Sequence, residues 1–347
     1  MRLINNHSYT VESVLKGHPD KICDQISDGL LDLYLSLDKS ARTAIECLGT
    51  KGTLVIAGEV NSIQNLAVEQ YSKELYKEIT NQEQITVLNL LSQQSEQLGK
   101  PINDGGAGDQ GIMYGYACNN DYNFLPFGYW LVNMLAKRLD EYRAATNLFL
   151  ADGKVQAIIS DDRIKQLTIN VQHSADADLE MMRQLIQKEI LFDIEAENVI
   201  INRDTGFING GFSNDTGLTG RKIAVDTYGG IIPHGGGAFS GKDPTKMDRS
   251  AAYMCRFVAK NIVANGYAKE CLVSVAYNFG EENPAMLHVL TDSFDSRKIM
   301  EIVKRNFDFR PQAIIERLNL KNIKYLPTST YGHFTNTSYP WEKIERI

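Results

Sequence analysis

RTAIECLGTKGTLVIAGEV, residues 42–60, is the stretch from which the architecture is read. Two runs rich in apolar and β-branched residues, 42–48 and 53–60, flank a Thr50-Lys51-Gly52 link. Glycine gives so short a link the backbone freedom a tight turn needs, so the pattern predicts a β-hairpin. On its N-terminal side, GHPDKICDQISDGLLDLYLSLD begins at Gly17. Pro19 suits a first helical position, where its missing N–H is no loss, and Asp20 adds negative charge to the first turn. Ile22, Cys23, Ile26, Leu30, Leu33 and Leu37 recur at helical spacing and form one apolar face. On the C-terminal side, 65–79 predicts a polar helix. The unit reads helix, strand, strand, helix.

That order returns twice. The pattern predicts a helix over 127–142, strands over 154–160 and 166–174, and a helix over 178–192. Leu167, Ile169 and Val171 alternate in the second of these strands. A third unit follows as a helix over 247–264, strands over 271–278 and 286–293, and a helix over 296–307. Strand starts at Arg42, Lys154 and Cys271 lie a little over a hundred residues apart. The expected fold class is therefore α+β. Three similar sandwich-like domains arise by internal triplication, with mostly antiparallel sheets covered by helices. So long a repeat makes domains rather than a solenoid. Boundaries are expected at 1–99, 106–210 and 211–347.

A chain of 347 residues can bury a large core across several domains. Its 36 Lys+Arg against 43 Asp+Glu give a net charge of −7, which argues against nucleic acid or an acidic membrane as partner. Cys23, Cys47, Cys118, Cys255 and Cys271 lie far apart, in no metal-ligand spacing, and read as small hydrophobes of a reducing compartment. The first residues, MRLINNHSYT, carry no apolar leader, and no run approaches a membrane span. A cytoplasmic location is expected. The tail YGHFTNTSYPWEK (331–343) is aromatic and expected to bury itself.

The chemistry concentrates in GGGAFSGKDPTKMDR, residues 235–249. Three glycines let backbone approach a ligand closely. Lys242 and Lys246 follow, interleaved with Asp243 and Asp248, and Pro244 suits the opening of a helix. Backbone N–H groups, a helix N-terminus and two ammonium groups make an anion site. Carboxylates able to hold a divalent cation point to a polyphosphate. Residues 236–242 fit the start of a P-loop, but Asp243 stands where a hydroxyl should meet the metal. The preceding strand-like run, 222–226, also ends too early. A second glycine-rich segment, SQQSEQLGKPINDGGAGDQG (92–111), suits a mobile loop leading into a rigid turn.

Four motifs now stand together: GHPDK (17–21), GAGDQG (106–111), TGLTGRKIAVDTYGG (216–230) and GGGAFSGKDPTKMDRSAAY (235–253). Together they resemble methionine adenosyltransferase, the S-adenosylmethionine synthetase family, over about residues 9–341. The resemblance implies three domains around a pseudo-threefold and a homodimer with shared active sites, often paired into a homotetramer. It implies ATP and L-methionine as substrates, with two Mg²⁺ per site and K⁺. The implied reaction is attack of the methionine sulfur on C5′ of ATP. Triphosphate leaves whole and is hydrolysed to pyrophosphate and phosphate. A thioether needs little base catalysis. The growing charge on the leaving triphosphate calls for preorganised cations.

Roles carry over by motif. His18, Lys154, Arg221, Lys242 and Lys246 are the implied catalytic set. Asp152, Phe207, Asp215, Lys222 and Ala238 join His18, Lys154, Arg221 and Lys242 around ATP, with Phe207 stacking on adenine. Glu59, Gln94, Asp109, Asp215 and Lys246 are implied for methionine. Asp20 and Asp248 would hold Mg²⁺, and Glu46 would support K⁺. The chain departs from the family at Gly206, where arginine is usual, at GGFSND (210–215), at Pro233, and in a short loop after Gln94. Two other readings fit the same residues: a phosphotransferase or NTPase with a glycine-loop cradle, and a non-catalytic nucleotide binder.

Overall fold

The computed structural model describes residues 8–61, 66–94, 105–203, 206–293 and 295–347. The first unit runs β1 (Ser8–Val14), α1 (Pro19–Leu37), β2 (Thr43–Thr50), β3 (Thr53–Val60), α2 (Val68–Thr80) and β4 (Thr86–Gln93). The second runs β5 (Gly111–Cys118), α3 (Phe127–Thr146), β6 (Gly153–Ser160), β7 (Arg163–Val171), α4 (Leu179–Leu185) and β8 (Val199–Ile201). The third runs β9 (Gly217–Leu218), α5 (Ile223–Asp226), α6 (Met247–Ala264), β10 (Glu270–Tyr277), β11 (Met286–Thr291), α7 (Ser296–Asn306) and α8 (Pro311–Arg317). The recurring helix–strand–strand–helix order is present in all three, and the fold is a three-domain α+β one.

Two of the hairpins close by local chemistry. Thr50 pairs with Thr53, and the two link residues, Lys51 and Gly52, both take positive φ. Ser160 pairs with Arg163 across Asp161 and Asp162, again both at positive φ. Such mirror-image turns match the right-handed twist of the strands they join. The second turn also shows why β7 starts at Arg163 rather than 166: two aspartates suffice to reverse the chain.

The sheets exchange strands. β1 pairs antiparallel with β6 of the second unit, β5 with β10 of the third, and β9 with β2 of the first. The sheet orders are β9-β2-β3-β4, β1-β6-β7-β8 and β5-β10-β11. Each unit lends its leading strand to the next, in a closed cycle. Among the described strand pairs, β3–β4 and β7–β8 are the parallel ones. The first and third units share one continuous core, which includes Leu54, Val258 and Trp341 and takes in Tyr116 from the lent strand β5, while the rest of the second has its own around Leu135 and Leu167.

Local details differ from the periodicity. The helix expected over 178–192 is α4 followed by a π-helical turn at Ile186–Ile190. The run at 222–226, expected as strand, forms the short helix α5. Helix α6 opens at Met247, three residues after Pro244, with Lys246 as its N-cap. Residue 65, and residues 95–104 of the expected mobile loop, lie outside the described residues. The tail does bury itself: Trp341 stacks on Tyr253 at 3.7 Å and donates its indole N–H to the His333 carbonyl. Asp178 caps α4 by accepting from the amides of Glu180 and Met181. Asp178→Ala is expected to destabilise by about 1 kcal/mol, read as a lower urea midpoint. An unchanged midpoint would contradict it.

Candidate active site

The site is built on the N-terminal half of α1. Strand β1 runs beside β6 with Val14 opposite Lys154, and the pairing continues as Leu15 donates to the Gly153 carbonyl and Gly17 to that of Ala151. A Cβ at Gly17 would stand 2.4 Å from Cβ of Ala151, so only glycine lets the chain pass. The next residue, His18, caps α1 in extended conformation, its Nδ1 accepting the Asp20 amide at 3.2 Å. That bond leaves the neutral ring's proton on Nε2. Burial, then the ammonium of Lys222, pushes the His18 pKa down to about 3, with Lys154 and Lys21 adding to it against the opposing pull of Asp20.

Next along the helix comes a feature the apolar periodicity does not reveal. Asp20, Asp24, Asp28 and Asp32 recur every fourth residue and so share one face. All four are buried. Asp20 accepts the amide of Leu218, Asp24 that of Gly220, Asp28 that of Gly241, and Asp32 those of Tyr325 and Leu326. One helix thereby holds three separate segments of the third unit in register. The D-x-x-x-D spacing is visible in the sequence, but an acidic stripe on a helix ordinarily reads as its wet face.

Two of those segments carry the cations. At the helix start, Arg221 Nε lies 3.0 Å from Asp20 Oδ1 and Lys222 Nζ 2.7 Å from Oδ2. Burial opposes ionisation of Asp20, yet Lys222 and the Leu218 amide outweigh it and hold its pKa below the usual value. Lys154 faces Glu12 at 3.5 Å and lies within electrostatic reach of His18 and Asp152. Asp152 is buried, accepts the Gly211 amide at 2.8 Å, and is pushed up to about 6, chiefly by burial. Asp215 is exposed on the following loop, within electrostatic reach of Asp152. Phe207 is tied by its backbone to His173. His18, Asp20, Asp152, Lys154, Asp215, Arg221 and Lys222 thus gather at one end.

The second group surrounds the glycine segment. Gly241 donates to Asp28, while its carbonyl accepts from Ile45 N–H and the Thr43 hydroxyl. Lys242 bridges to Ala44, which lies opposite Glu59, which in turn lies opposite Ser92. Directly opposed residues share a face, so Lys242 and Glu59 stand on the same side of the sheet, with Glu46 two residues along β2. Gln94 donates its amide to the Val60 carbonyl at the same edge. Lys242 Nζ meets Asp248 Oδ2 at 2.6 Å, and Lys246 Nζ meets the fully buried Asp243 at 2.8 Å. Gly237 and Gly111 both close on Asp248, and exposed Asp109 precedes Gly111 by two residues. A Cβ on Gly220 would stand 2.5 Å from that of Ala238, so the two cationic loops touch there. Asp20 and Asp28 are eight residues apart, so the anchors of the two groups are separated by about 12 Å of helix.

The departures at 210–215 have a packing reason at one position. Phe212 is buried, stacks on Tyr76 at 5.6 Å and closes over Gly49. Its side chain serves the core, not a ligand.

Family models match the chain in three pieces: the N-terminal domain of S-adenosylmethionine synthetase over residues 6–96, the central domain over 104–211 and the C-terminal domain over 209–343. The chain belongs to the S-adenosylmethionine synthetase family. The S-adenosylmethionine synthase of Borreliella afzelii (strain PKo) is 41% identical, covering 99% of this chain and 96% of that one. That of Borrelia garinii subsp. bavariensis is also 41% identical, over 99% and 97%. Membership of the S-adenosylmethionine synthetase family makes this chain a methionine adenosyltransferase, a metal-dependent enzyme using ATP and methionine. No helix among the described residues is long and apolar enough to cross a membrane.

The tautomer of His18 carries a prediction. The imidazole is expected to stay neutral from pH 8 down to pH 5, read by NMR, and a midpoint near 6.5 would contradict it. Its folded pKa lies below the unfolded value of 6.5, so between about 3 and 6.5 the unfolded chain binds more protons. The contribution of neutral His18 to stability is therefore lost as the pH falls through that window.

Proposed function

We propose that the two cationic groups together carry the family's reaction: sulfur of L-methionine attacks C5′ of ATP, and the intact triphosphate leaves and is hydrolysed to pyrophosphate and phosphate. The observation that carries this reading is the gathering of Lys154, Arg221 and Lys222 around a neutral His18, with Lys242 on the adjoining loop. Each of these cations except Lys154 rests on a segment that α1 fixes. Fixed cations aimed at a leaving oxyanion stabilise charge where it develops, without reorganisation during the reaction. Neutral His18 offers its Nε2–H to a triphosphate oxygen near the bond that breaks.

The resting ion pairs fit the substrate's chemistry. Asp20–Lys222 and Asp248–Lys242 each join a phosphate-binding ammonium to a hard oxygen donor. No group of three or more His, Cys, Asp or Glu able to hold a metal occurs among the described residues. Mg²⁺ is usually held by one or two carboxylates and completed by phosphate oxygens and water, so this donor set fits an ion arriving with ATP. Asp248, partly exposed, has an oxygen beyond its Lys242 contact. Asp20 is buried with both oxygens engaged, and would exchange Arg221 or Lys222 for the ion. Two Mg²⁺, at Asp20 and Asp248, would neutralise the triphosphate, and K⁺ would sit near Glu46. Phe207, Asp152, Asp215 and Ala238 are assigned to the nucleotide, and Glu59, Gln94, Asp109, Asp215 and Lys246 to methionine.

A second copy of the chain is the proposed partner. The outer face of β2–β3–β4 presents Leu48, Leu88 and Leu90, the last two 47% and 63% exposed, around Val55 and Ala57. Apolar residues so grouped call for a cover, and the proposed methionine groups Glu59 and Gln94 border that face. A cytoplasmic location is supported by five free cysteines.

The test is incubation of purified protein with ATP, methionine, Mg²⁺ and K⁺, following S-adenosylmethionine and triphosphate cleavage by mass spectrometry. No S-adenosylmethionine from folded protein overturns the reading. Release of ADP with a phosphorylated product would favour a phosphotransferase.

A further inference from the structure

Beneath the glycine segment lies an ion pair that meets that segment through its backbone. Asp28 and Arg249 are both 0% exposed. The guanidinium meets the carboxylate by two parallel bonds, Nη1 to Oδ1 at 2.9 Å and Nη2 to Oδ2 at 2.6 Å. Its Nε donates to the Tyr253 hydroxyl at 3.1 Å, and its plane lies over the Tyr325 ring at 4.5 Å. Two further bonds leave the pair, and both go to one piece of backbone. Asp28 Oδ1 accepts the Gly241 N–H at 2.8 Å, and Arg249 Nη1 donates to the Lys242 carbonyl at 2.9 Å.

We propose that Asp28 and Arg249 are positioning residues that clamp the Gly241–Lys242 backbone and so aim the Lys242 ammonium. The inference rests on the reading of Lys242 as a cation of the leaving triphosphate. Its physical basis is a mismatch of stiffness. A lysine side chain has four rotatable bonds, so the accuracy of its charge depends on how firmly its own backbone is held. Gly241 sits at φ +79°, where a Cβ would stand 1.9 Å from the Ile45 carbonyl oxygen. The residue before Lys242 is therefore a glycine that cannot hold itself by side-chain packing. The clamp holds the amide ahead of the lysine and the carbonyl behind it. Arginine suits this task because one planar fork serves carboxylate and carbonyl together, which a lysine's point charge cannot do.

The wild-type protein gives the first reading. In hydrogen exchange by mass spectrometry, peptides across 239–243 are expected among the slowly exchanging segments, and rapid exchange there overturns the clamp. Arg249→Lys keeps the charge and loses the fork. It is expected to lower kcat about tenfold or more, with KM for ATP and methionine within about threefold. In a Lys242→Met background the same change should alter kcat by less than about twofold, because the group it aims is gone. Equal losses in both backgrounds assign Arg249 to general structure and overturn the proposal. Asp28→Asn, which keeps an acceptor for Gly241 but breaks the ion pair, is the second variant should Arg249→Lys not fold. Its expected pattern is the same, and an unchanged kcat in a folded variant of either kind also overturns the clamp. A wild-type protein that makes no S-adenosylmethionine disposes of the proposed function instead, whereas an active one with additive losses disposes of the clamp alone.

Discussion

Lys242→Met is expected to lower kcat by about 10²–10³-fold, the effect of removing one preorganised donor from a developing oxyanion. Methionine keeps the length and the apolar stem of lysine, so the change is close to removal of charge alone. The backbone at this position should survive it, because Gly241 and the Lys242 carbonyl are held by Asp28 and Arg249 rather than by the lysine side chain. Among the described residues the ammonium itself pairs with Asp248, at 2.6 Å, in a partly exposed pair. Exposed pairs contribute little to stability, so the variant should fold. Leaving-group charge is greatest in the transition state, so kcat should fall more than KM for ATP rises. Steady-state kinetics with saturating methionine reads both constants. A loss confined to KM would make Lys242 a ground-state contact, and an unchanged kcat would remove it from the chemistry.

How far the fold could be read from the chain depends on distance along it. The hairpins at Lys51-Gly52 and Asp161-Asp162 are local, and their strands follow from periodicity and turn residues. Strands β1, β5 and β9 belong to another category. Each finds its partner in a different unit, more than a hundred residues away, and nothing within Ser8–Val14, Gly111–Cys118 or the two residues of β9 announces that partner. Strand β4 is similar in kind, since a parallel neighbour gives no turn signal. Among site residues, His18 and Asp20 were legible because they stand in GHPDK, a motif the resemblance carries, while Pro19 marks only the helix start beside them. The ladder at Asp24, Asp28 and Asp32 was not, because its burial is created by loops from the far end of the chain. Periodicity finds the face of α1 that meets its own sheet, and it is silent about a polar face covered later. Arg249 was hidden for the same reason: in KMDR it reads as one more charge near a helix start, and its partner lies 221 residues away.

Mixing two inactive variants should restore activity, if one site draws on two copies of the chain. His18→Asn disables the group at the start of α1, and Lys242→Met disables the group on the glycine segment. Within one chain these groups are anchored about 12 Å apart along the helix. The apolar face of β2–β3–β4 lies on the side of Lys242 and Glu59, where a second copy would add its own His18 group. Isologous contact between two such copies makes two equivalent sites, each combining one group from either chain. In a mixed dimer one site then carries both lesions and the other carries neither. Random reassortment gives half mixed dimers, so roughly a quarter of wild-type activity should return. Each variant alone should stay at its own residual rate. The experiment is unfolding and refolding the two variants together, with the same treatment of wild type as the yield reference and mass spectrometry of the product as readout. Activity no greater than the mean of the two variants would mean that His18 and Lys242 serve a site within one chain. Recovery near a quarter would mean that the contact at Gly220 and Ala238 joins two half-sites that belong to the two different active sites of one dimer, and that the outer sheet face belongs to the catalytic unit.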